Sequence, residues 1–290
     1  MSVIIPQLSV GLSIASILLI VALGLAIIYG TMGVINLAHG EFVMLGAYAV
    51  WFLQTYLGIG LIACLLLVFA FVGGVGWLVE RLLIRHLYKR PLDTILATWG
   101  VGVILQQTIR LSVGPELRYV KMPDFLTSSV HFFGYEESAY RIFIFVLAVA
   151  LVLITYFLFF RTEFGLRLRA VTQNPEIARC FGINAGLIYS LTFAYGAGLA
   201  GIAGSLVSPL KSVSPDMGTP YVVDAFLVVV VGGVQSLLGT VASSYLIGQV
   251  SGVLAFISND TMAKALVFFG VVVLIRLFPR GLFAMRVRRS

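Results

Sequence analysis

Charge is scarce in this sequence. Lys, Arg, Asp and Glu supply 11% of its 290 residues, whereas 60% are hydrophobic. A soluble domain carries about 25% charged residues, so less than half of that cannot cover a water-facing surface, and most of the surface must meet lipid. Cysteine is nearly absent as well: Cys64 lies in an apolar run and Cys180 in a basic segment. That placement argues against a pair, and two such residues make no metal site. No G-x-x-x-x-G-K-[ST] occurs, so the chain binds no nucleotide through a P-loop. His39 has no Ser or Cys nucleophile motif beside it, which removes triad chemistry; the chain is read as a non-enzyme without cofactors. The ten-residue alternation of an outer-membrane barrel is missing. Few acidic groups fall within the apolar runs, which weakens an ion-coupled carrier. The one Asn-Pro pair, Asn174-Pro175, sits in a charged loop and speaks against an aquaporin-type channel. Residues 1–9 lack the positive stretch of a signal peptide, so the first apolar run is expected to be retained.

What is present is a series of apolar runs long enough to cross a hydrocarbon core of about 30 Å. Lipid satisfies no backbone group, so each run should be helical. The reading is an all-α polytopic transmembrane helix bundle, one domain over residues 1–290, with about eight spans: 10–30, 33–53, 58–80, 94–112, 140–160, 187–208, 222–257 and 262–278. The seventh is too long for one crossing and holds Gly232, Gly233 and Gly239; a half-helix, a break and a full helix are expected there. The net charge of +7 does not point to nucleic acid, because the basic residues come in blocks at helix ends. Arg81, Arg85, Lys89 and Arg90 form one block, Arg161, Arg167, Arg169 and Arg179 a second, and Arg276, Arg280, Arg286, Arg288 and Arg289 a third. This is the positive-inside pattern, which sets the blocks in the cytoplasm against anionic headgroups. Segments 111–139 and 209–220 then lie outside. Counting back from Arg81 puts the N-terminus outside too, a result that reverses if span 33–53 is re-entrant. Gly196, Ala200 and Gly204 recur every four residues, a stripe suited either to close helix packing or to a backbone-lined path.

Polar residues inside spans are costly: a charge at the bilayer centre costs about 2.5–3.5 kcal/mol on insertion scales. Asn36, His39 and Glu41 nonetheless fall within span 33–53, among Gly33, Gly40 and Gly46. Together they suggest a helix broken at membrane depth, its polar groups either capping the break or lining a pathway. Thr98, Trp99, Gln106 and Gln107 are further pathway candidates. Thr219-Pro220 reads as an N-cap and first helical residue, leaving Asp224 either to complement the helix dipole or to touch cargo. Between the basic spans, Asn174 can cap a helix, Pro175 suits its first turn, Glu176 its dipole and Gly182 its stop. A helix of about two turns over 175–182 would carry an apolar face of Ile177, Ala178 and Phe181. That face either packs on the protein's own helix ends or docks on a partner.

The segments GVINLAHGEFVMLGAY (33–48), ERLLIRHLYKRP (80–91), RAVTQNPEIARCFGIN (169–184), GLAGIAGSL (198–206) and VVVVGGVQSLLGT (228–240) resemble the permease family of branched-chain amino-acid ABC importers. Within it, ILATWGVGVILQQ (95–107), residues 170–180 and PYVVDAFLVVVVGGVQ (220–235) are most similar to the urea-importer branch. Gln235 departs from the glycine expected in that motif. The resemblance implies a multi-pass permease of the bacterial inner membrane, most similar to urea permeases, with amino acids or short amides as the alternative cargo and a passive urea channel behind both. It implies a second homologous permease, two cytoplasmic ATPase subunits and an extracytoplasmic binding protein as partners. It also maps ATPase coupling onto Arg169, Asn174, Pro175, Glu176, Ile177, Ala178, Arg179, Phe181 and Gly182. Thr98, Trp99, Gln106, Gln107 and Asp224 supply the hydrogen-bonding and aromatic groups that a small polar cargo needs.

Overall fold

With no water to pair with, the apolar runs close their backbone hydrogen bonds internally as helices. The computed structural model describes residues 4–88, 90–132, 135–234, 236–278 and 281–282. Lys89, Gln235, Arg280, Arg286, Arg288 and Arg289 lie outside the described residues. The helices are α1 (Ile4–Met32), α2 (His39–Leu57), α3 (Leu61–Leu82), α4 (Pro91–Ser112), α5 (Ala139–Arg161), α6 (Glu163–Gln173), α7 (Pro175–Cys180), α8 (Ala185–Val207), α9 (Thr219–Gly232), α10 (Leu237–Ile257) and α11 (Asp260–Leu277). This is the expected all-α bundle. Among the described residues, five helical stretches are long and apolar enough to cross a membrane by length and composition alone: Gln7–Met32, Leu61–His86, Ala139–Arg161, Ala185–Val207 and Leu237–Ile257. The other expected spans carry more polar residues, among them His39 and Glu41 in α2, Gln106 and Arg110 in α4, and Lys264 in α11.

The long seventh run divides as its glycines suggest. α9 has 14 residues and α10 has 21, and Gly233 between them has φ +88°, where a side chain would be strained. Ser236 restarts the helix by accepting from the Gly239 amide at 2.9 Å. Three elements exceed the sequence reading. Strands β1 (Ser129–Phe132) and β2 (Tyr135–Ser138) pair antiparallel within the mixed-charge segment, Ser129 opposite Ser138. Helix α6 fills what reads as a basic loop. Thr162 caps it, and Gly165, Leu168 and Val171 form its buried stripe at three-residue steps, with arginines between them.

Two of these five apolar helices are enclosed by the others rather than turned to lipid. α1 and α8 are 89% and 83% buried along their central windows, against 28% for α3, 22% for α5 and 33% for α10. Glycine allows this enclosure. A Cβ on Gly196 would sit 2.7 Å from the Gly24 carbonyl oxygen of α1, and one on Gly204 would sit 1.9 Å from the Val43 oxygen of α2. Ala200 between them is fully buried. The stripe on α8 is a packing surface.

Contacts also fix the depth at which each element starts. His39, the first residue of α2, has Nε2 3.0 Å from the Val21 carbonyl oxygen, well inside α1 rather than at its end. The chain leaves α1 at Met32, returns as non-helical backbone over 33–38 and resumes as helix only at this depth. α2 then runs to the end where Gln54 bonds both the Lys121 amide and its carbonyl oxygen. Residues 208–218 behave conversely. Val213 pairs with Arg118 at that same end, yet Gly218 lies against Gly40, so α9 also begins inside the bundle and runs to the opposite end. At that end Ser190 of α8 meets Glu80 of α3, and the Leu282 amide bonds the Val231 oxygen. Arg81, Arg85, Arg161 and the α6–α7 segment belong to this end. Cysteines placed at Arg85 and Gln173 of a variant lacking Cys64 and Cys180 are expected to resist an impermeant thiol reagent added outside intact cells. Labelling of both would invert the orientation.

Candidate functional site

The break after α1 is built from local chemistry. Gly33 takes φ +66° and its amide closes α1 on the Tyr29 oxygen at 2.9 Å. Ala38 at the start of α2 offers no capping side chain; instead Asn36 Oδ1 accepts from the Ala38 amide at 3.1 Å. α4 holds the break from the side, with Thr98 Oγ1 accepting from the Leu37 amide at 3.1 Å and donating to the Ile95 oxygen at 3.1 Å. One turn further along α4, Gly102 leaves room for Glu41: a Cβ there would sit 3.3 Å from Glu41 Cγ.

Across from this, the first turn of α9 touches the first turn of α2. A Cβ on Gly40 would sit 2.4 Å from the Gly218 oxygen, and one on Gly218 would sit 2.2 Å from the Gly40 oxygen. This contact corrects the expected cap. Gly218, not Thr219, is the N-cap of α9, because only glycine allows the backbones to touch, and Thr219 is the first helical residue. Its hydroxyl lies 3.5 Å from Glu41 Oε1. The two helices run apart from here, so both positive dipole ends converge on the region of the Glu41 carboxylate.

Asn36 and His39 are fully buried and Glu41 is 7% exposed. Asn36 Nδ2, His39 Nδ1 and Glu41 Oε2 have no hydrogen-bond partner among the described residues. Buried polar atoms are ordinarily satisfied, so three orphans within six residues mark this as the place to look for a ligand. The bond to Val21 gives His39 a second role, tying α2 to α1.

Other pathway candidates separate. Trp99 is 61% exposed, because it stands about 100° round α4 from the inward Thr98. Gln107 is exposed. Gln106 bonds the Pro215 oxygen at 3.2 Å and Asp216 at 2.9 Å, holding the segment that leads into α9, and Arg110 pairs with the same Asp216. Asp224 pairs with Lys264 of α11 at 3.4 Å and lies beyond the first turn of α9. Only Asn36, His39, Glu41 and Thr98 gather at the break, joined by Thr219 and Gly102, whose roles depend on contacts far apart in sequence.

At the basic end, α7 forms as its signals indicate. Asn174 Oδ1 accepts from the Glu176 and Ile177 amides at 3.0 Å each, Pro175 opens the helix, and Gly182 stops it with φ +79°. The apolar face differs from expectation. Ala178 is buried at 4% against a small core of Leu168, Val171, Ala185 and Ile188, which leaves Ile177 at 55% and Phe181 at 82% exposed. Arg179 is exposed beside them. Arg169 turns instead to α5, donating to the Phe159 oxygen and lying over the Phe160 ring. A cavity of about 350 Å³ is lined by residues of α1, α5, α6 and the α9–α10 break, with Thr31, Phe159, Arg169 and Ser236 among its walls.

Glu80 escaped the sequence reading. It is fully buried at the end of α3, where Tyr88 and Ser190 both donate to it. Burial first, and then this carboxylate, push the Tyr88 hydroxyl far above its ordinary pKa, which keeps it a donor. The available signal was an acidic residue at the head of an otherwise basic block.

A family model described as branched-chain amino acid transport system / permease component matches residues 7–276. The chain is 29% identical to the high-affinity branched-chain amino acid transport system permease protein BraD of Pseudomonas aeruginosa, over 95% of this chain and 94% of that one. It is 28% identical to the LivH permease protein of the corresponding Escherichia coli system, over 94% and 92%. It is 25% identical to the LivM permease protein of Escherichia coli, over 94% of this chain and 69% of that one. No solved structure matches the chain.

Proposed function

The chain belongs to the family of branched-chain amino acid transport system permease components, and from that premise we propose that it carries cargo past the junction of α2 and α9. It is a multi-pass inner-membrane transport permease, not an enzyme. The observation that carries the proposal is the meeting of two helix starts inside the bundle, around buried, unpartnered polar atoms. Interrupted helices at membrane depth are tolerated where they face protein or a cavity, and they mark binding sites in transporters.

Both LivH and LivM, permease proteins named for one system, resemble this chain. That supports a second, similar permease beside it. The chain has no nucleotide-binding loop of its own, so ATPase subunits supply the energy and a binding protein delivers the cargo outside. α7 is the coupling element: it presents Ile177 and Phe181, and through α6 it borders the cavity reaching the α9–α10 break.

The cargo we propose is a branched-chain amino acid, the class that the relatives' names give. Urea is the second reading; it rests on the resemblance read from residues 95–107, 170–180 and 220–235 and on the polar character of Asn36 and Glu41. The complex of this permease with its partners, reconstituted in proteoliposomes with ATP, is expected to take up radiolabelled leucine and to be inhibited by isoleucine but not by a hundredfold excess of urea. Urea uptake without leucine uptake would exchange the two readings. Uptake without ATP would remove the importer mechanism altogether.

A further inference from the structure

We infer that Glu41 and Asn36 form a recognition point for the zwitterionic main chain of an amino acid, with the Glu41 carboxylate taking the ammonium group. The inference rests on the amino-acid reading above and assigns to it the residues that recognise the cargo.

The two orphan atoms differ in kind. Glu41 Oε2 is a carboxylate oxygen and accepts, and Asn36 Nδ2 is a donor. An α-amino acid presents a matching pair, an ammonium donor and a carboxylate acceptor on one carbon. The surroundings suit both ends. The starts of α2 and α9 place positive dipole ends beside the site, which favours a carboxylate arriving there. The same field favours the ionised form of the Glu41 carboxylate, with which an arriving ammonium group would pair. Gly40 and Gly218 bring the two helix starts together beside Glu41, and Gly102 makes room for its side chain. These groups read the part that all amino acids share, so side-chain preference is left to other surfaces, the binding protein among them.

The test separates charge from shape. Glu41→Gln keeps the outline of the side chain and one acceptor oxygen, replaces the other with an NH2 donor and removes the charge; Glu41→Asp keeps the charge and shortens the side chain. Leucine uptake is measured with the full complex in proteoliposomes, for variants that co-purify with the ATPase subunits at wild-type yield. Glu41→Gln is expected to lower uptake at least tenfold and Glu41→Asp less than threefold. A Gln variant that imports as well as the Asp variant, or within twofold of wild type, overturns the proposal. Loss of co-purification in both variants also overturns it, since Glu41 would then hold the bundle together rather than read cargo. A wild-type complex that imports urea and not leucine fails before any variant is compared, and so removes the amino-acid reading itself.

Discussion

Phe181→Asp is expected to abolish coupled import while leaving the permease folded. Phe181 is 82% exposed directly after α7, so the substitution disturbs no packing within the chain and its effect must come through a partner. Full burial of a Phe contributes about 1.5–3 kcal/mol, roughly a tenfold to hundredfold change in association. Placing a carboxylate in an apolar groove adds a desolvation cost. ATPase subunits should therefore co-purify at least tenfold less well, or hydrolyse ATP without import. Ala178→Asp is not an equivalent test, because Ala178 is buried against Leu168 and Ile188 and its loss would unfold the segment. A Phe181→Asp complex that hydrolyses and imports normally would remove α7 as the coupling element.

The second large effect is structural. Gly204→Val should prevent the bundle from assembling, because the new Cβ would lie 1.9 Å from the Val43 backbone oxygen and 3.1 Å from the Ala47 amide nitrogen. A backbone carbonyl inside the central pair α2 and α8 has nowhere to move, so the cost should reach or exceed the roughly 1–3 kcal/mol typical of overpacking. Gly100→Ala and Gly270→Ala are the controls. Nothing lies within 4 Å of either added Cβ, and replacing a helical glycine with alanine stabilises by roughly 0.5–1 kcal/mol. Melting temperatures of the purified permease should fall sharply, or the protein be lost, for Gly204→Val and hold or rise for the controls. A Gly204→Val protein that melts like wild type would mean that α2 and α8 do not approach as closely as described.

Features that one short stretch of chain decides for itself were legible before any fold was known. Asn174, Pro175 and Gly182 each act within a turn of themselves, and each sits where its chemistry placed it. The division near Gly233 and the interruption near Gly33 follow from backbone conformations that those glycines alone accept readily. Helix α6 was missed for the complementary reason: its arginines hide a buried stripe of only Gly165, Leu168 and Val171. Ala178 was read onto the same face as Ile177 and Phe181 because spacing gives the angle between residues but not which side faces the bundle.

The sequence by itself determined that this protein lives in a membrane as a helical bundle, that helices break near Gly33 and Gly233, and that polar side chains are retained at depth; each follows from local composition and the absence of water. Only the tertiary structure decided that α1 and α8 are central, since lipid and protein interior are equally apolar and hydropathy cannot tell them apart. It alone decided that Asp224 belongs to Lys264, 40 positions away, and that Glu41 meets Thr219 across 178 positions. The last contact exists because two glycines let the starts of α2 and α9 touch backbone to backbone, an approach that depends on both chain segments at once.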